Sequence, residues 1–307
     1  MRTLSFRRAL TSALALGLGL SLVLPSSPAA AATLTVVRRY RTSDWQKPSP
    51  DPTGIAYFPG GRRFIVVDSE IEEAPHPHWK GVNVWIVGLK GRVLRSFSTL
   101  RYSKEPTDVA VGPGGNTLFF SDDSQDEIHI VHKGRDHIWG TKDDLVRSFS
   151  TKSFGSRDPM GLAYGAGSLF VTDGDNSAYN PHKVYRIRPG KNHIFNGAPP
   201  AGDDIVTSFD TFALGIAQPE DVVFAPLSGR LWIIGQKSKR IVVTTLAGVQ
   251  TNSWDISPFG VLFPSGIALA PPSNGSKGRH IYVTDAGEDN NAVPLENDGR
   301  IFEFALT

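Results

Sequence analysis

The sequence predicts an all-β fold, a five-bladed β-propeller of four-stranded blades. Three observations carry that prediction. Five segments align at residues 51–70, 105–124, 158–175, 218–237 and 263–287. They recur about every 50 residues, a period typical of four-strand repeat units. Each unit holds short runs rich in Val, Ile, Phe and Tyr, parted by Gly, Pro, Asn and Asp, and no helical periodicity follows residue 32; this is the pattern of closely spaced strands. Finally, "TVVRRYRTS" (35–43) matches the last strand of the other units, "RVLRSFSTL", "LVRSFSTKS", "IVTSFDTFA" and, more loosely, "VQTNSWDIS", yet no unit precedes it.

The units share one plan. A Pro–x–Gly/Asp step, preceded by an acid in the first three units, opens strand A ("GIAY" in the first unit). A Pro/Gly turn leads to strand B ("FIVV", "LFFS", "LFVT", "LWII", "IYVT"), which usually ends in Asp. Strand C ("VNVWIVGL", "GRIFEFAL") and a strand D of the "RSFST" type complete it. The fifth unit ends at "GRIFEFALT" without a strand D. The orphan at 35–43 supplies one, closing the ring and removing the edges an open array would expose.

The first 32 residues are expected to be a secretory signal peptide, with 33–307 as a single propeller domain. Arg2, Arg7 and Arg8 make a basic start, "ALTSALALGLGLSLVL" an apolar run, and "SSPAAAA" a cleavage region near Ala31–Ala32. The product is then secreted. Removing the leader takes away three arginines and no acids, leaving 29 of the 32 Lys and Arg against 30 Asp and Glu. That balance gives no case for nucleic-acid binding, which needs a concentrated basic patch. No later stretch is long and apolar enough for a membrane span. There is no cysteine, so thiolate chemistry, disulfides and Cys-based metal sites are excluded. A monomer is expected.

The segments "GSLFVTDGDNSAYNPHKVYRI" and "RHIYVTDAG…DGRIFEF" resemble the strand B–loop–strand C pattern of NHL-repeat and SMP-30/gluconolactonase-like propellers. The doubled "DHIWGTKDDLVRSFST" and "NHIFNGAPPAGDDIVTSFDT" resemble secreted phytase-like (esterase-like) propellers. The resemblance spans essentially all of residues 33–307. It implies calcium held by carboxylates near the channel mouth and, in several relatives, lactonase, esterase or phosphoesterase activity; others only bind. Related repeats often carry Glu after the Pro. Here that position is Thr53, Thr107, Met160, Glu220 and Ser265, so one unit keeps the acid.

Antiparallel order puts the D–A and B–C links on one face, where Asp51, Glu105, Asp158, Asp68, Asp122, Asp123, Asp173 and Asp285 gather. Such a ring repels itself unless a cation sits there, or unless each acid accepts hydrogen bonds in its own turn. Acids that break the repeat are more informative: Asp108 and Asp221 replace Gly in alternate units, and Glu220 stands alone in its column. Asp108, Asp173, Glu220 and Asp221 are therefore the expected ligands of a divalent cation, Ca²⁺ first because hard oxygens favour it.

Three B–C links on that face are long (70–81, 174–184, 287–299), bringing His76, His78 and His182 toward the acids, with Trp79 and Tyr179 as pocket walls. A His can move a proton; equally, "PHPHW" can be a stiff loop that stacks or binds. The expected catalytic set is His78, His182 and Glu220, acting on a small ester, lactone or phosphoester. The alternative is a non-catalytic propeller that grips a small-molecule or glycan ligand, a peptide or a wall component. On the opposite face, Asp136, Asp143, Asp144, Asn192, Asp203 and Asp204 lack a calcium-loop series and read as turn residues.

Overall fold

Five apolar clusters, each shared by two neighbouring blades, hold the molecule together. One joins Ile65, Val67 and Val84 of blade one to Val109, Leu118 and Phe120 of blade two. The cluster at the seam joins Tyr40, Ala268, Tyr282 and Ile301 to Ile55, Phe64 and Trp85. This is why strands B and C are apolar on both faces: each blade is covered on two sides, and only strand D turns outward. A computed structural model describes residues 32–72, 80–174, 182–288, 293 and 295–307. The expected leader, apart from Ala32, lies outside them, as do His76, His78, Trp79 and Tyr179.

Residues Thr33–Thr307 form one unit of five four-stranded antiparallel sheets. Strands A are β2 (Pro52–Phe58), β6 (Pro106–Val111), β10 (Pro159–Gly165), β14 (Pro219–Ala225) and β18 (Pro264–Ala270). Each touches the next, and β18 touches β2, so the ring is closed. The seam blade has the order β1–β20–β19–β18, with β1 Leu34–Arg41, β19 His280–Asp285 and β20 Arg300–Leu306. Leu34 pairs with Leu306 and Arg41 with Arg300. The orphan strand thus completes the last blade, as the repeat predicts.

A buried Glu303, which the sequence offers only as one residue of "RIFEFAL", locks that seam. Its Oε1 accepts hydrogen bonds from Ser273 N (2.9 Å) and Tyr282 Oη (3.0 Å) and lies 2.7 Å from His280 Nδ1. Tyr40 Oη of β1 reaches its Oε2 (3.2 Å) and the Leu89 carbonyl of blade one (2.7 Å). Burial opposes the charge of Glu303, but the bonds from Ser273, His280 and Tyr282 outweigh it and hold its pKa below the usual value.

The recurring Thr at the end of strand D has a defined task. The hydroxyls of Thr42, Thr99, Thr151 and Thr211, all buried, donate to the carbonyls of Ser49, Ser103, Ser156 and Ile216, at 2.6 to 3.0 Å. Each clasps the D–A link. The loosest strand D copy has Ile256 instead and lacks that clasp. The doubled insertions are hydrogen-bonded turns, as expected. Asp144 Oδ2 accepts from Gly140 N and Thr141 N, and Asp204 Oδ2 accepts from Asn196 N and Gly197 N.

Candidate functional site

The Asp that ends strand B is first a fold residue. Asp68 Oδ2 accepts from Ser49 Oγ and Asp51 N, and Oδ1 from Glu70 N. Asp122 takes Ser103 Oγ, Ser124 Oγ and Gln125 N, and Asp285 takes Leu262 N and Phe263 N. Asp173, one of the expected metal ligands, is fully buried in the same place and accepts from Arg157 N (3.2 Å). These bonds tie each D–A link to its own strand B.

Asp108 and Asp221 form a different arrangement. Asp108 Oδ2 accepts Leu162 N–H of blade three and Asp221 Oδ2 accepts Ile267 N–H of blade five, both at 2.6 Å. Each acid therefore reaches the next blade in the ring. A Cβ on Gly54 or Gly161 would overlap Asp108 or Asp221 respectively, so each acid needs the Gly before it in the ring. Alternation over five blades leaves Gly266 beside Gly54 at the seam. The two carboxyls bond to each other: burial raises the pKa of both, and Asp221, raised further by the charge of Asp108, keeps the proton and donates it.

Glu220 sits where strand A is irregular. The A–B register shifts between Pro219 and Asp221, and a similar shift recurs at the start of all five strands A. Such a bulge re-aims the extra residue, and Glu220 occupies it in blade four. Burial, then the charges of Asp158 and Asp123, push its carboxyl up to about 8. Asp123 is raised to about 6 by burial, then by Glu105 and Asp122. Across the same face Glu296 is raised to about 8 by burial and by Asp298, and Asp68 to about 7 by burial. Sequence reasoning placed Asp123 and Asp158 on this face without giving them a role, and it missed Glu296 and Asp298. Their signal was the unmatched "LENDG" of the fifth B–C link.

The structure brings together only part of the expected set. Asp108 and Asp221 meet. Asp173 serves its D–A link, and Glu220 has Asp158 and Asp123 as its charged neighbours. Among the described residues no three His, Asp or Glu side chains form a group that could hold a metal ion. The oxygens of Asp108 and Asp221 are turned to main-chain N–H groups and to each other, so the four residues do not fit Ca²⁺ as a ligand set. The His182 ring stacks on Phe212 (centroids 6.1 Å apart, 17° between planes), and its buried Nδ1 has no hydrogen-bond partner among the described residues.

Fold and mouth together define a class: a five-bladed β-propeller with perturbed carboxyls around one end of a plugged axis. No family model matches the chain, and no curated protein matches it. Solved structures do. It is similar to a luciferin-regenerating enzyme at TM-score 0.53 and 11% identity, over 90% of this chain and 95% of that one. For the PQQ-bound aldose sugar dehydrogenase from Streptomyces coelicolor the values are 0.50, 14%, 92% and 100%. For a nidogen/laminin complex they are 0.49, 16%, 84% and 86%. The resemblance expected from the repeats is met at the level of the propeller fold, which is all such identities show. Among the described residues no helix is long and apolar enough to cross a membrane.

Proposed function

We propose that this chain is an exported hydrolase that takes a small ester, lactone or phosphoester at the mouth formed by the D–A and B–C links of blades two to four. The observation that carries the reading is Glu220: a buried carboxyl, lifted to about 8, beside two other carboxyls. At neutral pH it holds a proton it can give to a leaving-group oxygen, while Asp123 or Asp158 takes one from the attacking water. Pairs of acids pushed apart in pKa are a recurrent signature of such sites. His182 and His78 remain candidates for the same proton transfer. The expected divalent cation, Ca²⁺ first, has no ligand set among the described residues and enters the proposal only as a variable of its test.

The test is a screen of aryl esters, lactones and aryl phosphates, with and without Ca²⁺. Glu220→Gln is expected to lower kcat by about a hundredfold, the usual range for a general acid, and Asp144→Asn on the opposite face to leave it unchanged. Thermal melts with Ca²⁺ and EDTA read the cation directly, because an ion bound to the folded state raises Tm with its concentration. No turnover above buffer in any condition rejects the hydrolase, leaving the binding propeller, tested by retention on glycan or wall material.

A further inference from the structure

The axis has a second end. Beyond the Asp108–Asp221 pair, toward the A–B turns, lies a cavity of about 640 Å³ to which all five strands A contribute. Its inner level is Ile55, Val109, Leu162, Val222 and Ile267, each 1–3% exposed. These residues directly follow Gly54, Asp108, Gly161, Asp221 and Gly266 in sequence, so the layer holding the carboxyl pair forms the floor. Tyr57, Tyr164 and Phe224 widen the apolar wall nearer the opening. One charged side chain contributes to the lining, Arg279. It is exposed, forms no ion pair among the described residues, and makes one long hydrogen bond, from Nη1 to the Leu269 carbonyl at 3.4 Å.

We propose that this blind bore binds an apolar monocarboxylate, its hydrocarbon or aromatic body in the bore and its carboxylate on Arg279. The volume falls in the range of small-molecule sites, roughly 300–1,000 Å³. The wall matches an apolar body, and burying about ten methylenes there is favourable in proportion to the area removed from water. The single cation fixes which end stays out, since a guanidinium pairs with a carboxylate through two parallel hydrogen bonds. The buried pair separates this site from the acid-rich mouth, so it does not depend on the hydrolase reading.

Decanoate, below its micelle concentration, and decanol are the probes, read by calorimetric titration of the full chain. Decanoate is expected to bind at one saturable site. Val111→Trp, which fills the wall, is expected to weaken it by about tenfold or more, a change of about 1.4 kcal/mol; Val223→Trp does the same from blade four if the first variant fails to fold. Arg279→Glu is expected to weaken decanoate by about tenfold while leaving decanol within about twofold. Glu220→Gln should change neither. Absence of saturable decanoate binding overturns the proposal. So does an affinity that both tryptophan variants leave intact, or an Arg279→Glu effect equal for acid and alcohol.

Discussion

Asp221 shows what one side chain contributes. It replaces a glycine of the repeat, occupies the space another glycine leaves, accepts a main-chain N–H from blade five and gives its proton to blade two. Asp221→Ala strands the Ile267 N–H and the Asp108 carboxylate in a buried layer, each worth about 1–3 kcal/mol. Asp221→Asn keeps an acceptor for Ile267 and offers Asp108 an N–H in place of the O–H. The alanine variant is expected to lose about 3 kcal/mol or more in denaturant melts and the asparagine variant under about 1 kcal/mol. Equal losses would contradict the shared proton. That Asp108 and Asp221 break the column was legible in the sequence. That they turn to each other was not, because the blades carrying them are separated in the ring by a third.

At the scale of elements, the decisive piece is β1. It is held by the ladder to β20, by the reciprocal pair Thr33 N–Thr307 O (2.9 Å) and Thr307 N–Thr33 O (3.0 Å), and by Tyr40 on Glu303 and Leu89. Removing residues 33–43 exposes the whole edge of β20, an invitation to pair with another chain. The deleted protein is expected to melt lower and to self-associate in light scattering. Residues 33–43 added as a free peptide should restore part of the lost Tm in proportion to peptide concentration, because the peptide binds only the folded form. A truncated protein that stays monomeric and melts as the parent does refutes the clasp. Closure could be read from the sequence because the strand D signature is strong and one copy stood alone. The Glu303 lock could not, since a lone acid in a strand gives no sign of partners that lie in other strands.

For the whole molecule, burial sets the response to pH. Asp68, Asp123 and Glu220 have folded-state pKa values of about 7, about 6 and about 8, above their unfolded values near 4. A raised acid contributes stability in full below its unfolded pKa and loses it as pH rises through the folded one. Asp122 and Glu303 are lowered instead; their contribution is present above about 4 and lost as pH falls further. Tm is therefore expected to be higher at pH 5 than at pH 8, and to fall again below about pH 4. Glu220→Gln should shrink the difference between pH 5 and pH 8, which a flat profile would contradict. The sequence by itself determined the repeat, the blade count, the strand order and the closure, because all of these depend on local strand and turn chemistry copied five times. It also determined which end of the ring would be rich in carboxyls. Only the tertiary structure decided what those carboxyls do: which ones serve main-chain N–H groups, which share a proton across the axis, and which are left protonated at the mouth. Those outcomes rest on distances between blades and on desolvation, and the axial cavity rests on how five strands meet, so none is a property of any one stretch of chain.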